Sequence, residues 1–265
     1  MLTTAFHLVV PGAILVCGLM LVLWLIYLRL NNASYVDPGW AYGLAILGVT
    51  YAFLGDGYVL RRWLVAAMAV IWGLRLGTHL LIRIVGKPEE GRYKQLRKEW
   101  GKNIPLKFLA FFEFQALLDV LLSLPFLLAA LNPAPSLKGV EYAGIGLWLV
   151  SLVGEAIADA QLAAFKRLRP ASNEVCQRGL WNYSRHPNYF FEWLIWVAWS
   201  LFALASPYGW LAILCPLLML YLLFKVTGIP ATEAQSLRSK SEAYRAYQRT
   251  TSVFVPWFKR EFVTL

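Results

Sequence analysis

The chain has 265 residues, 59% of them hydrophobic and only 15% charged, and a formal net charge of +10. A soluble domain devotes about a quarter of its residues to charge, so this composition excludes an ordinary water-soluble globular protein. The mean hydropathy of +0.54 agrees, and twelve Trp with thirteen Tyr suit a protein with many side chains at a membrane–water boundary.

In chain order the apolar runs fall near 6–30, 39–56, 60–84, 107–131, 138–165, 187–206 and 208–230. Each is about as long as a helix needs to cross ~30 Å of hydrocarbon, so the expected fold is an all-α integral membrane protein of about seven transmembrane helices. The first run lacks a basic lead-in and reads as a span rather than a cleavable leader. Between the third and fourth runs, 86–106 reads as a polar loop with a short helix inside. Asn132 to Ser136, with two prolines, reads as a tight external turn. After the last run, Glu233 to Arg249 has the amphipathic pattern of an interfacial helix, with Leu237, Tyr244 and Tyr247 on its apolar side. Of the three cysteines, Cys17 and Cys215 lie in apolar runs, and no CxxC pair suggests a disulfide framework or a metal site.

Twenty of the 25 Lys and Arg lie within 83–107, 166–185 and 225–265. With seven spans these stretches share one side, which the positive-inside rule makes cytoplasmic. The basic character therefore belongs to one face, where it also suits anionic headgroups. No nucleic-acid-binding motif accompanies it, and nothing points to an obligate protein partner.

Ionisable residues within spans are costly and point to function. Arg75, His79 and Arg83 follow an i, i+4, i+8 spacing on the third run. Glu155 and Asp159, with Lys166 a heptad beyond, share a face of the fifth, and Asn188 and Glu192 repeat the i, i+4 step on the sixth. Glu113, Gln115 and Asp119 lie on the fourth, and Asp37 opens the second. Together they describe a polar cavity open to the cytoplasm; a network of ion pairs joining helices would use the same residues.

The stretch 178–192 reads RGLWNYSRHPNYFFE. Gly179 permits a turn, Pro187 suits the first turn of a helix, and Arg185 and His186 beside that helix start suit an anion. The pattern resembles the C-terminal region shared by steroid 5α-reductases, sterol reductases and isoprenylcysteine carboxyl methyltransferases. It is most similar to the bacterial membrane branch of the 3-oxo-5α-steroid 4-dehydrogenase family long labelled a domain of unknown function. The resemblance spans roughly residues 30–260 and rests on RGLWNYSRHPNYFFEW, GEAIADAQLAAFKR and SEAYRAYQRTTSVFVPWF.

The resemblance implies one membrane-embedded domain, with residues 1–131 mainly a substrate pocket and 132–265 mainly a half that binds NADPH. The family's Asn–Asp–Arg face falls on Glu155, Asp159 and Lys166, with Glu replacing Asn and Lys replacing Arg. Asn173 takes a loop position that carries a phenol in the animal enzymes. Tyr183, Arg185, His186, Asn188 and Glu192 belong to the turn and the helix after it, and Glu233 and Tyr244 are placed near the cofactor. Arg92, Tyr93 and Arg97 are candidate diphosphate or 2′-phosphate partners. In the animal enzymes a Gln–Glu pair and a Tyr contact the substrate ketone. Here Asp37 stands near the Glu and Trp72 at the Tyr position, so these are the catalytic candidates, with Tyr35 and Tyr42 as alternatives. Indole can donate a hydrogen bond but cannot deliver a proton. Asp37-Pro38-Gly39 also reads as a turn, and Trp72 as packing.

The implied reaction is hydride transfer from NADPH to the β-carbon of a conjugated enone in a steroid-like lipophilic substrate. The protein would sit in a bacterial inner membrane with its C-terminus cytoplasmic. An S-adenosylmethionine-dependent methyltransferase is the alternative, and a lipid-binding or transport protein a third reading.

Overall fold

The computed structural model describes residues 2–168, 174–226 and 228–259. All regular structure among these is helical, apart from a single bridge between Ser184 and Ser252. The chain divides into two compact units: residues 1–142 with 199–215, and 143–198 with 216–265. The first boundary thus falls eleven residues beyond the expected 131/132 division, and 199–215 returns to the first unit.

In the first unit, α1 (Leu2–Leu30) is followed by α2 (Val36–Leu54) and α3 (Val59–Ile84). The chain leaves α1 through Asn31 in the left-handed conformation, and the Asn32 side chain accepts the Ser34 amide at 3.0 Å, starting the turn into α2. Helices α2 and α3 pack closely because their facing positions are small. A Cβ on Gly48 would stand 2.8 Å from that of Ala69, and one on Gly77 would stand 2.4 Å from the ring of Tyr42. Small residues of this kind let helix backbones approach where lipid gives no hydrophobic drive between helices.

The polar loop contains α4 (Gly91–Trp100), as expected. Beyond it, α5 (Ile104–Leu122) and α6 (Leu124–Ala130) meet at a 42° bend. Pro125 has no N–H to continue the helix, and Ser123 at the break bonds Val120 O at 2.8 Å and the Tyr51 hydroxyl at 3.1 Å.

α7 (Gly139–Arg167) begins in the first unit and continues into the second. There it runs antiparallel to α8 (Pro187–Ala203). The Phe191 ring lies against Gly154, and Asn188 reaches Asp159. α9 (Leu214–Tyr221) ends in a π-helical turn over Leu222–Val226, and α10 (Ile229–Thr250) carries a break at Ser241. An apolar cluster of Leu223, Ile229 and Phe254, with Tyr189, Phe190 and Trp193 against it, fastens these elements together.

Four stretches are long and apolar enough to cross a membrane: Thr3–Leu30, Val59–Ile84, Gly139–Arg167 and Gly209–Thr250. The bent α5–α6 pair makes a fifth if it is one span. All seven expected runs fall on helices, but this number is lower than about seven. α8 has only 17 residues, and α2 opens with Asp37 and Pro38. The 42 residues of 209–250 would extend about 63 Å as one helix, twice the hydrocarbon. Their charged residues beyond Lys225 begin at Glu233, so the apolar part of the stretch ends before it.

Candidate functional site

The first unit uses its charged candidates to fasten the loop around α4. Asp37 accepts hydrogen bonds from Arg92 and, at 2.6 Å, from the Tyr93 hydroxyl. Arg92 also stands 3.4 Å from Glu90, which pairs with Arg83 at 2.6 Å. Arg97 forks onto Glu89 at 2.9 and 3.1 Å and lies over the rings of Tyr27 and Phe108. Glu89 in turn accepts the Ala33 amide at 2.8 Å. Burial, with the Asp37 charge beside it, pushes the Tyr93 phenol well above its ordinary value, so it remains a donor. Arg92, Tyr93 and Arg97, expected on phosphate oxygens, thus address protein carboxylates here.

Trp72 is fully buried, edge-on to Trp40 at 5.7 Å and to Trp199 at 5.1 Å, with Phe126 against Trp199 at 4.9 Å. This aromatic stack gives it a packing role. Arg75 and His79 are half-buried on α3, and Arg83 is exposed one turn further on.

The second unit gathers most of the remaining candidates. Glu155, Asp159 and Glu192 are 3%, 8% and 7% exposed, low values for carboxylates at membrane depth. Asn188 donates to Asp159 at 3.3 Å, and the Trp196 indole to Glu192 at 2.9 Å. Lys166 stands exposed in the last turn of α7. Asn173 lies outside the described residues.

The turn before α8 is built on α7. The Trp181 indole donates to Ala158 O, and the Leu180 amide to the Gln161 side chain, both at 2.9 Å. Gly179 adopts φ +56, a left-handed conformation, directly against the Gln161 amide, where a Cβ would stand 2.2 Å away. The left-handed backbone favours glycine, and a larger residue would also have to displace the Gln161 amide.

Arg185 and His186 then converge on Glu233 of α10. Arg185 Nε donates to Glu233 Oε1 at 2.7 Å, His186 Nε2 lies 3.4 Å from the same oxygen, the Tyr244 hydroxyl donates to it at 3.3 Å, and Gln248 donates to Oε2 at 2.9 Å. Arg185 Nη1 also bonds the carbonyls of Gln248 and Thr251. Burial raises the Glu233 carboxyl, but the bonds from His186, Arg185 and Gln248 outweigh it and hold it down at about 2. The Tyr244 phenol shifts upward, through burial and the Glu233 charge.

Arg185 and His186, expected as an anion site, are therefore engaged with an internal anion, and Glu233 is the centre of the turn. The sequence reading did not single out Gln248. Its spacing from Tyr244 and Tyr247 (i, i+4 and i, i+1) was the available signal. It also missed the fully buried Arg61–Glu141 pair of the first unit, 2.5 Å apart. Arg61 completes its bonding on the carbonyls of Asn132, Ala134 and Ser136.

Within the second unit the arrangement combines a buried face rich in acceptors on α7 and α8 with a turn clamped by one carboxylate. Such a face suits a ligand bearing hydroxyls and amides, while diphosphate oxygens would need cations from elsewhere.

No solved structure matches the chain at a significant level. An uncharacterized protein of Schizosaccharomyces pombe is 27% identical over an alignment covering 89% of this chain and 76% of its own length. The profile of DUF1295, described as a protein of unknown function, matches residues 23–251. With that match over most of its length, the chain belongs to the DUF1295 family.

Proposed function

We propose that this protein is an NADPH-dependent membrane reductase of the steroid 5α-reductase type, acting on the C=C of a conjugated enone in a steroid-like, lipophilic 3-oxo substrate. The observation that carries the reading is the face of buried Glu155, Asp159 and Glu192 with half-buried Asn188, where Asp159 and Asn188 are joined across α7 and α8. Carboxylates are acceptors and the Asn amide is both donor and acceptor. The ribose hydroxyls and the carboxamide of a nicotinamide nucleotide offer the matching groups, so the residues fit that part of the cofactor. Lys166 is the adjacent candidate for its phosphates. When bound, NADPH supplies the hydride.

The chain's own task is to orient the cofactor, exclude water and polarise the ketone oxygen. Asp37 enters the proposal as the acceptor that orients the Tyr93 hydroxyl and Arg92, a cluster able to hold a proton near the substrate half. Trp72 supplies an apolar wall.

A ligand that binds only the native state raises its stability, by about 2.7 kcal/mol at a hundredfold excess over Kd. In detergent, NADPH is expected to raise the melting temperature, NADH much less and S-adenosylmethionine not at all. Asp159→Ala and Asn188→Ala should abolish the NADPH shift. Asp37→Asn should slow turnover with cofactor affinity nearly intact.

A second reading, an S-adenosylmethionine-dependent methyltransferase of the isoprenylcysteine carboxyl type, draws on the clamp of Glu233, Tyr244 and Tyr247 around the RHPNY turn, a pattern that family resembles. Stabilisation by S-adenosylmethionine alone would select it and reject the reductase.

A further inference from the structure

Beyond Thr251 the chain is laid along the turn before α8 by three hydrogen bonds. The Arg185 amide donates to Ser252 O at 2.8 Å, the Ser184 hydroxyl to Phe254 O at 2.7 Å, and the Trp257 amide to Tyr183 O at 2.9 Å. Phe254 turns inward and is 6% exposed, whereas Val255, Trp257 and Phe258 are 50%, 68% and 75% exposed. Three large apolar side chains are thus held outward on a fixed backbone. Beside them a cleft of about 410 Å³ is lined by Arg185, Gln248, Arg249, Ser252, Trp257 and Phe258, among others.

The charge in this cleft is positive. Arg185 is paired with Glu233, but its Nη2 makes no hydrogen bond among the described residues, and Arg249 makes no ion pair among them. Lys259 adds a third cation next to Phe258 in the chain and bonds Gln177 at 2.7 Å.

The depth of the turn follows from α7. Its 29 residues extend about 43 Å against ~30 Å of hydrocarbon, so its end turns stand among headgroups. Leu180 and Trp181 bond α7 at Gln161 and Ala158, six to nine residues before its end at Arg167. That puts the turn about 9–14 Å along the axis from the helix end, near the boundary of the hydrocarbon. Trp and Phe beside Arg at this level are the side chains that settle into an interface.

We propose that the cleft between Arg185 and Arg249 takes the phosphate of an anionic phospholipid headgroup, with Trp257 and Phe258 inserted beside its acyl chains. The site is separate from the α7–α8 face and independent of the reaction carried out there. Guanidinium groups suit phosphate oxygens, and the outward aromatics require an apolar cover that a free phosphate would not provide.

Native mass spectrometry of the intact chain released from detergent tests this, with phosphatidylglycerol, phosphatidylcholine or inorganic phosphate added at matched concentration. One phosphatidylglycerol should be retained about fivefold more than phosphatidylcholine, the preference expected from about one basic residue near the headgroup. Arg249→Gln, at an exposed position, should remove that preference. Trp257→Ser with Phe258→Ser should lower retention of both lipids. Equal retention of the two lipids by the unaltered protein, or a preference that survives Arg249→Gln, would overturn the proposal. Retention of inorganic phosphate that Arg249→Gln abolishes, without a phosphatidylglycerol preference, would assign the cleft to a soluble phosphate and likewise reject the lipid.

Discussion

Two carboxylates organise this molecule, one in each unit, and they do so in opposite ways. Glu141 is sealed. Its side chain and that of Arg61 are both 0% exposed, and every Arg61 side-chain nitrogen ends on Glu141 or on a backbone carbonyl of the turn Asn132–Ser136. Glu233 is 16% exposed, beside a cleft, and its donors include a histidine and a tyrosine. The first holds its arginine with both side chains fully buried, so neither charged group meets solvent, and it is architecture. The second combines a negative charge with neutral and cationic donors from two segments, and its side chain is partly exposed. Ion pairing alone therefore does not mark a functional region; accessibility and the chemistry of the donors do.

The sealed pair should be the more sensitive to mutation. Arg61→Ala strands a buried carboxylate, with an expected loss of about 3–5 kcal/mol, measurable as a large fall in melting temperature in detergent. Arg61→Met combined with Glu141→Leu should recover most of it, because removing both charges removes the desolvation penalty. A next effect, about 1–3 kcal/mol, is expected for Gly77→Leu, which drives a side chain into the Tyr42 ring; Tyr42→Ala in the same chain should restore part of the melting temperature.

Glu233→Gln should cost less and in a pH-dependent way. The carboxyl is lowered in the folded protein, from an ordinary 4.5 to about 2. Its contribution is therefore complete above pH 4.5 and is lost as the pH falls through that window toward 2. Melting temperatures recorded from pH 6 to 3 should drop more steeply for the unaltered protein than for the variant, and parallel curves would remove the open carboxylate from the comparison. Smallest is Arg97→Lys, about 1 kcal/mol or less, through loss of the fork onto Glu89 and of the planar contact with Tyr27 and Phe108.

Much of the architecture could be read from the chain, because hydrocarbon thickness imposes a length that apolar runs reveal directly. The bend between α5 and α6 had a signal in Pro125, which cannot continue a helix, but the unbroken apolar character of 107–131 reads as one span. The faces of α7 and α8 were legible for the same periodic reason, and the structure joins Asp159 with Asn188. Pairings across long separations were not. Asp37 lies 55 residues from Arg92, and Arg185 lies 48 from Glu233. Spacing within one helix carries no trace of which distant partner claims a side chain. Arg61 was not singled out, and its acid lies 80 residues away.

The clamp on Glu233 has a consequence for how the protein is made. Residues 184–186 leave the ribosome well before residues 233–254, to which they must bond. Until those late residues emerge, Arg185 has no internal counter-ion and the segment leading into α8 lacks its lock. Chains shortened before Gln248 would thus enter the bilayer with that junction unsecured, open to quality-control proteases. Damage at the far end of the gene would be felt sixty residues upstream.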